Sequence, residues 1–189
     1  MSTSQIKLYS NKLYPLNNID SVLEQARIFA RSYGLQPLKI LEIKDADIKA
    51  KLLSRQNNPK KSSSTQHLVV LAIKPVITSD HIDDFISDIR ASKKITGHSL
   101  NNYRRHIKSL LNRKEGAHWP SRQAYQALDI LSSSAKDAGA GLRLIADFNT
   151  EIFDEELGLS KDGFTVYIVV LLSLTESRCT WNSVIEANN

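Results

Sequence analysis

The apolar residues of this chain recur with two periods, and the alternation between them sketches the fold. From Ile19 they fall at Ile19, Val22, Leu23, Ala26, Phe29 and Ala30, which is one face of an α-helix. Asn18 is placed to cap that helix, and Gly34 and Pro37 to end it. Leu38 to Ile43 alternates as a half-buried strand does, and Asp45 then opens a short helix to about Ser54. Residues 55–65 are polar, with Pro59 and a run of serines, and read as a loop. His67 to Ile73 is apolar at nearly every position, the signature of a strand covered on both faces.

Ser79 or Asp80 starts a helix whose inner face is Ile82, Phe85, Ile86 and Ile89. Gly97 interrupts it, and a second helix follows with Leu100, Tyr103, Ile107, Leu110 and Leu111 on one face. A third runs from about Pro120 to Ala138 with a stripe made mostly of alanines (Ala124, Ala127, Ala135, Ala138), small enough for neighbours to approach closely, so it reads as the central packing helix. Gly139 suits its C-terminal cap. Leu142 to Ile145 is a short strand, Thr150 to Leu157 a short helix capped by Thr150, and Phe164 to Leu174 the last strand. The segment up to Leu16 has no clear period and reads as an extended arm.

Composition narrows the class without naming an activity. With 189 residues, 41% hydrophobic and 24% charged, the chain is long enough to bury a real core, and no proline- or serine-rich linker divides it, so a single α+β domain over 1–189 is expected. The one cysteine, Cys179, excludes an intramolecular disulfide and fits a reducing, cytoplasmic compartment. The N-terminus has no apolar signal core, and the longest apolar run, Phe164 to Leu172, is too short to span a bilayer as a helix, so no membrane insertion is expected. A formal charge of +5 and a pI near 9.3 suggest anionic ligands only weakly.

Three stretches in order carry a resemblance. They are Ser32-Tyr33-Gly34-Leu35-Gln36-Pro37; the set Trp119, Arg122-Gln123, Tyr125 and Ala127-Leu128; and Phe148 through Leu157-Gly158-Leu159 to Gly163-Phe164. Together the chain resembles the FMN-dependent nitroreductase family, as a short and divergent member. The resemblance implies an α+β fold with a mixed, largely antiparallel sheet flanked by helices. It implies an intertwined homodimer with FMN at the interface, and an NAD(P)H-dependent oxidoreductase passing hydride by a ping-pong route to a nitroaromatic, a quinone or a similar small electron acceptor. In such a site the flavin carries the chemistry and no catalytic triad or metal is needed.

Carried over residue by residue, the resemblance places Ser10 and Lys12 of the arm (positions 1–16) at the flavin, with Lys12 as donor to the N1/O2 edge. Ser32 matches the second serine of the turn after the first helix, and Arg31 replaces the first. Asn58 and Lys61 match residues at the pyrimidine edge in a close branch of the family. Leu8 stands where the family has a phosphate-binding arginine, leaving the adjacent Lys7 as the cation there. Ala146 and Asp147 occupy the segment that faces flavin N5, where the family has Glu-Gly; a backbone N–H can still serve, but a carboxylate disfavours a nearby reduced flavin anion. These departures, with a short tail after the last strand, keep open a second reading: a degenerate member that binds flavin, another ligand or a partner without turnover.

Residues 90–114 hold eight Lys/Arg and no Asp/Glu, within a basic helical hairpin at 78–116. They could form an electropositive entrance for NAD(P)H, a nucleic-acid surface, or a solvated hairpin; the intact apolar stripe favours the last, and poor aromatic interleaving weighs against nucleic acid. Ala138-Gly139-Ala140-Gly141 lacks the third glycine and the strand-to-helix setting of a dinucleotide fingerprint. His67 reads as a packed residue, and the other histidines show no metal spacing.

Overall fold

Two strands that are apolar on both faces can lie only where both faces are covered, and they occupy the middle of the sheet. The structure, a computed structural model, describes residues 19–32, 35–54, 66–93, 97–112 and 114–174. Its elements are α1 (Ile19–Ser32), β1 (Leu38–Ile43), α2 (Ala46–Ser54), β2 (His67–Ile73), α3 (Ser79–Lys93), α4 (Gly97–Leu111), α5 (Trp119–Asp137), β3 (Ala140–Ile145), α6 (Thr150–Glu156) and β4 (Thr165–Leu174). Short 3-10 turns lie at Lys114–His118 and Leu159–Asp162. The four described strands run β1-β2-β4-β3, every pair antiparallel.

Alternation along the strands divides the core into two layers. Val69, Leu71 and Ile73 of β2 and Ile168, Val170 and Leu172 of β4 face α1 and α5. Leu68, Val70 and Ala72 of β2, with Val166, Val169 and Leu171 of β4, face α2 and α6, where Phe153 is fully buried. The small stripe of α5 does what was expected of it: Ala124, Ala127, Leu131 and Ala135 are buried against α1 and the sheet. A third, separate cluster joins α3 to α4 through Ile82, Ile86, Leu100 and Ile107, touching Leu35 and Ile77 at its base. No described helix is long and apolar enough to cross a membrane.

The local signals act largely as read. Asp45 Oδ1 accepts from the amides of Asp47 and Ile48, both at 2.9 Å, and so caps α2. One cap differs: α6 is capped by Asn149, whose side chain accepts from Ile152 N at 3.1 Å, while Thr150 is the first helical residue. An asparagine is as good a cap as a threonine, and the sequence offers both side by side. Gly139 adopts φ +67°, the left-handed turn that releases α5 into β3. His67 packs as a strand-end residue, its Nδ1 2.8 Å from Glu42 Oε1. The 55–65 loop and the arm lie outside the described residues.

Candidate functional site

Antiparallel pairing decides which candidate residues meet. Leu38 pairs with Ile73 and Ile73 with Thr165, so the start of β1, the end of β2 and the start of β4 share one end of the sheet. β3 runs toward that same end and leaves the ladder after Ile145, which pairs with Val169. The C-terminal turn of α1, with Arg31 and Ser32, therefore enters the sheet at the end where Ala146 and Asp147 leave it. The two segments lie at opposite edges, however: β1 and β3 are separated by three strand spacings, about 14 Å.

Ala146 and Asp147 are both exposed, beyond the last ladder pair. Arg31 is exposed too, and its guanidinium is engaged within its own helix: Nη2 pairs with Glu24 Oε1 and Nε donates to the Arg27 carbonyl at 3.2 Å. Ser32 is the last residue of α1. Lys7, Ser10, Lys12, Asn58 and Lys61 lie outside the described residues.

Beside the Ala146–Asp147 turn the chain presents a face suited to a planar ring. Tyr125 of α5 is 58% exposed, and Leu144 of β3 is 54% exposed. Tyr125 meets Tyr167 of β4 edge to face, with ring centroids 5.7 Å apart and planes at 79°. A hydrogen bond with the Tyr167 hydroxyl, then the charge of a Tyr167 phenolate, then burial hold the Tyr125 phenol above the usual tyrosine range. Tyr125 belongs to the motif on the central helix, but Tyr167 was not read as a candidate. Its signal is a phenol interrupting the apolar strand Thr165–Leu174.

This face fits the ring end of a flavin: an aromatic and aliphatic wall, with the Ala146–Asp147 backbone beyond the last ladder pair at its rim. On the other side of the sheet, the recess lined by Glu151, Asp154, Glu155, Gly158, Ser160 and Lys161 is acidic, and Asp154 is already spent on Thr165 Oγ1 at 2.6 Å and Val166 N at 2.7 Å.

Two cations of the basic hairpin share one carboxylate. Arg104 grips Asp83 with Nε and Nη2, both at 2.5 Å, and Lys108 Nζ lies 3.6 Å from the same carboxylate. Arg104 first, against a smaller opposing effect of burial, holds the Asp83 carboxyl below the usual aspartate range. At Arg104 and Lys108, a run that reads as uninterrupted positive charge is thus met by a carboxylate from the preceding helix.

Comparison with known proteins agrees with the fold. A Staphylococcus haemolyticus (strain JCSC1435) protein named "Putative NAD(P)H nitroreductase" is 26% identical over 165 residues, covering 82% of this chain and 76% of that protein. A nitroreductase family protein from Streptococcus pneumoniae TIGR4 shares the fold at a TM-score of 0.66, with 16% identity, over 91% of this chain and 86% of that one. A structure from Exiguobacterium sibiricum 255-15, described as a "putative nitroreductase in complex with FMN", matches at a TM-score of 0.56 with 17% identity, over 87% of this chain and 83% of that one. The model of the nitroreductase family matches residues 3–171. The chain belongs to the nitroreductase family and is an oxidoreductase of that type.

Proposed function

We propose that the protein is an FMN-dependent NAD(P)H oxidoreductase, working in the cytoplasm as a homodimer and reducing nitroaromatic, quinone or similar acceptors by ping-pong hydride transfer. The observation that carries this is the family match over nearly the whole chain, joined to an exposed aromatic face beside the turn at Ala146–Asp147. Bound there, FMN would supply hydride transfer between nicotinamide and acceptor. The chain's own contribution is positional. Backbone amides at Ala146 and Asp147 would meet the ring edge, Lys12, Asn58 and Lys61 its pyrimidine side, and Ser10, Lys7 and Ser32 the phosphate side. The opposite-edge placement of Arg31–Ser32 and Ala146–Asp147 supports a site completed by a second copy. With Arg31 tied to Glu24, Lys7 is the better phosphate cation of the two.

FMN titrated into the purified protein, followed by flavin absorbance, tests this. Saturable binding at micromolar protein, followed by FMN-dependent oxidation of NADH or NADPH with a quinone, is the expected result; absence of FMN binding overturns it. The second reading, binding without turnover, is favoured by the exposed Asp147 where the family has glycine. FMN binding with no quinone-dependent NAD(P)H oxidation would select it.

A further inference from the structure

The turn at Ala146–Asp147 hangs between two supports. On one side it leaves β3, an edge of the four described strands, where Gly141, Arg143 and Leu144 are all exposed. On the other side Asn149 caps α6, so residues 146–149 alone join the last ladder pair to the first helical residue. α6 has 7 residues, too few to hold a helix in water unaided, so its place is set by what it packs against. The Phe153 side chain is fully buried, and the Phe148 ring meets it at 62° with centroids 5.5 Å apart. Apolar burial is non-directional: it keeps α6 on the sheet without fixing how the helix slides along it or turns about its axis.

Direction comes from Asp154. Its Oδ2 accepts from Thr165 Oγ1 at 2.6 Å and its Oδ1 from Val166 N at 2.7 Å, two charge-assisted bonds to consecutive residues of β4. They meet the strand beside its irregularity. Leu71 pairs with Ile168 but Ala72 with Val166, so Tyr167 is the extra residue of a bulge, turned with Ile168 into the layer of α1 and α5. A bulge locally disrupts the ladder, and the Asp154 carboxylate holds the two residues just before it. β4 lies between β2 and β3, so this clamp ties the turn to the middle of the sheet and not only to its edge. We propose that Asp154 is a positioning residue for the flavin: by clamping α6 to Thr165 and Val166 it holds the Ala146–Asp147 backbone where it meets the ring edge. α6 packs in the layer opposite α1 and α5, so Asp154 acts through the helix and does not touch the ring. The proposal rests on the FMN reading above and adds to it the residue that keeps the ring-edge backbone in place.

The test compares the parent with Asp154→Ala, Asp154→Asn, Thr165→Val and, as a control, Asp83→Asn in the distant hairpin. All are measured at a temperature where each is folded. Hydrogen–deuterium exchange of the FMN-free proteins reads the clamp alone: the amides of residues 146–153 are expected to exchange faster in Asp154→Ala than in the parent. FMN titration followed by absorbance reads the site. The contact at stake is a backbone hydrogen bond to the ring, so Asp154→Ala is expected to weaken FMN binding about threefold to tenfold and Thr165→Val about twofold to threefold. Asp154→Asn keeps an acceptor for Val166 N and brings an N–H for Thr165 Oγ1, so it is expected to restore parent-like binding. Asp83→Asn lowers the thermal midpoint without moving FMN affinity, which separates positioning from loss of stability. Parent-like exchange or parent-like FMN binding in Asp154→Ala overturns the role of Asp154 while the FMN reading stands, as does an equal loss of FMN affinity in Asp83→Asn. If Asp154→Ala does not fold, Thr165→Val decides by the same two measurements. Failure of the parent to bind FMN overturns both the reading and the proposal.

Discussion

Asp83 is the shared anion of the α3–α4 hairpin, held by Arg104 with Lys108 alongside. Its carboxyl is depressed below 3.8, so the stabilisation it gives is fully present above that ordinary value. It is lost as pH falls through the lower folded value. Asp83→Asn is therefore expected to lower the thermal midpoint at neutral pH, with the gap to the parent closing as the solution is acidified well below 3.8. Circular dichroism melts across that range measure it; a gap independent of pH would show that the carboxylate charge contributes nothing. Lys12 makes the complementary case for binding. If it donates to the flavin N1/O2 edge, Lys12→Ala loses a charge-assisted contact worth about 1.5–3 kcal/mol, roughly tenfold to a hundredfold in FMN affinity. Lys114→Ala, in the hairpin, serves as the control expected to bind FMN as the parent does, and parent-like FMN binding by Lys12→Ala would remove the arm from the flavin site.

The joint between α4 and α5 brings two stretches of backbone into close approach. Gly116, in the 3-10 turn, lies so close to Leu111 that a Cβ there would collide with its backbone carbonyl. Neither partner is a flexible side chain, so Gly116→Ala is expected to destabilise by about 2–3 kcal/mol, read as a shift of the urea midpoint at constant m-value. A shift near zero would mean that the turn relaxes at no cost. That glycine was invisible in the sequence because close approach is a property of two segments folded against each other. Patterns within one segment were legible: β1 and β2 have the bounds their periodicity gives, and the alanine stripe of α5 is buried. What linear reading missed is pairing between segments. Arg104 looked unopposed because Asp83 lies on the preceding helix, and Tyr167 drew no reading because the bulge that turns it exists only against β2. The candidate site was legible mainly through motif order, and its chemistry depends on the register of β3 with β4.

At the scale of the molecule, the candidate segments sit on opposite edges of the four described strands, and a homodimer is the simplest way to join them. The protein is accordingly expected to elute at about twice its 21.2 kDa chain mass in size-exclusion chromatography with in-line light scattering, and a monomer at all micromolar concentrations would refute the shared site. The strand order has another consequence, for biosynthesis. β2 gains its second partner only from β4, which lies about ninety residues later in the chain. At roughly 5–20 residues per second, the ribosome takes about 5–20 s to deliver that partner. Throughout that interval the β1–β2 pair presents an unpaired edge on a strand that is apolar on both faces, an open template for another nascent chain. Slower translation lengthens that window, so the yield of soluble protein in a cell should depend on how quickly residues 74–164 are made and on chaperones that shield the β1–β2 pair meanwhile.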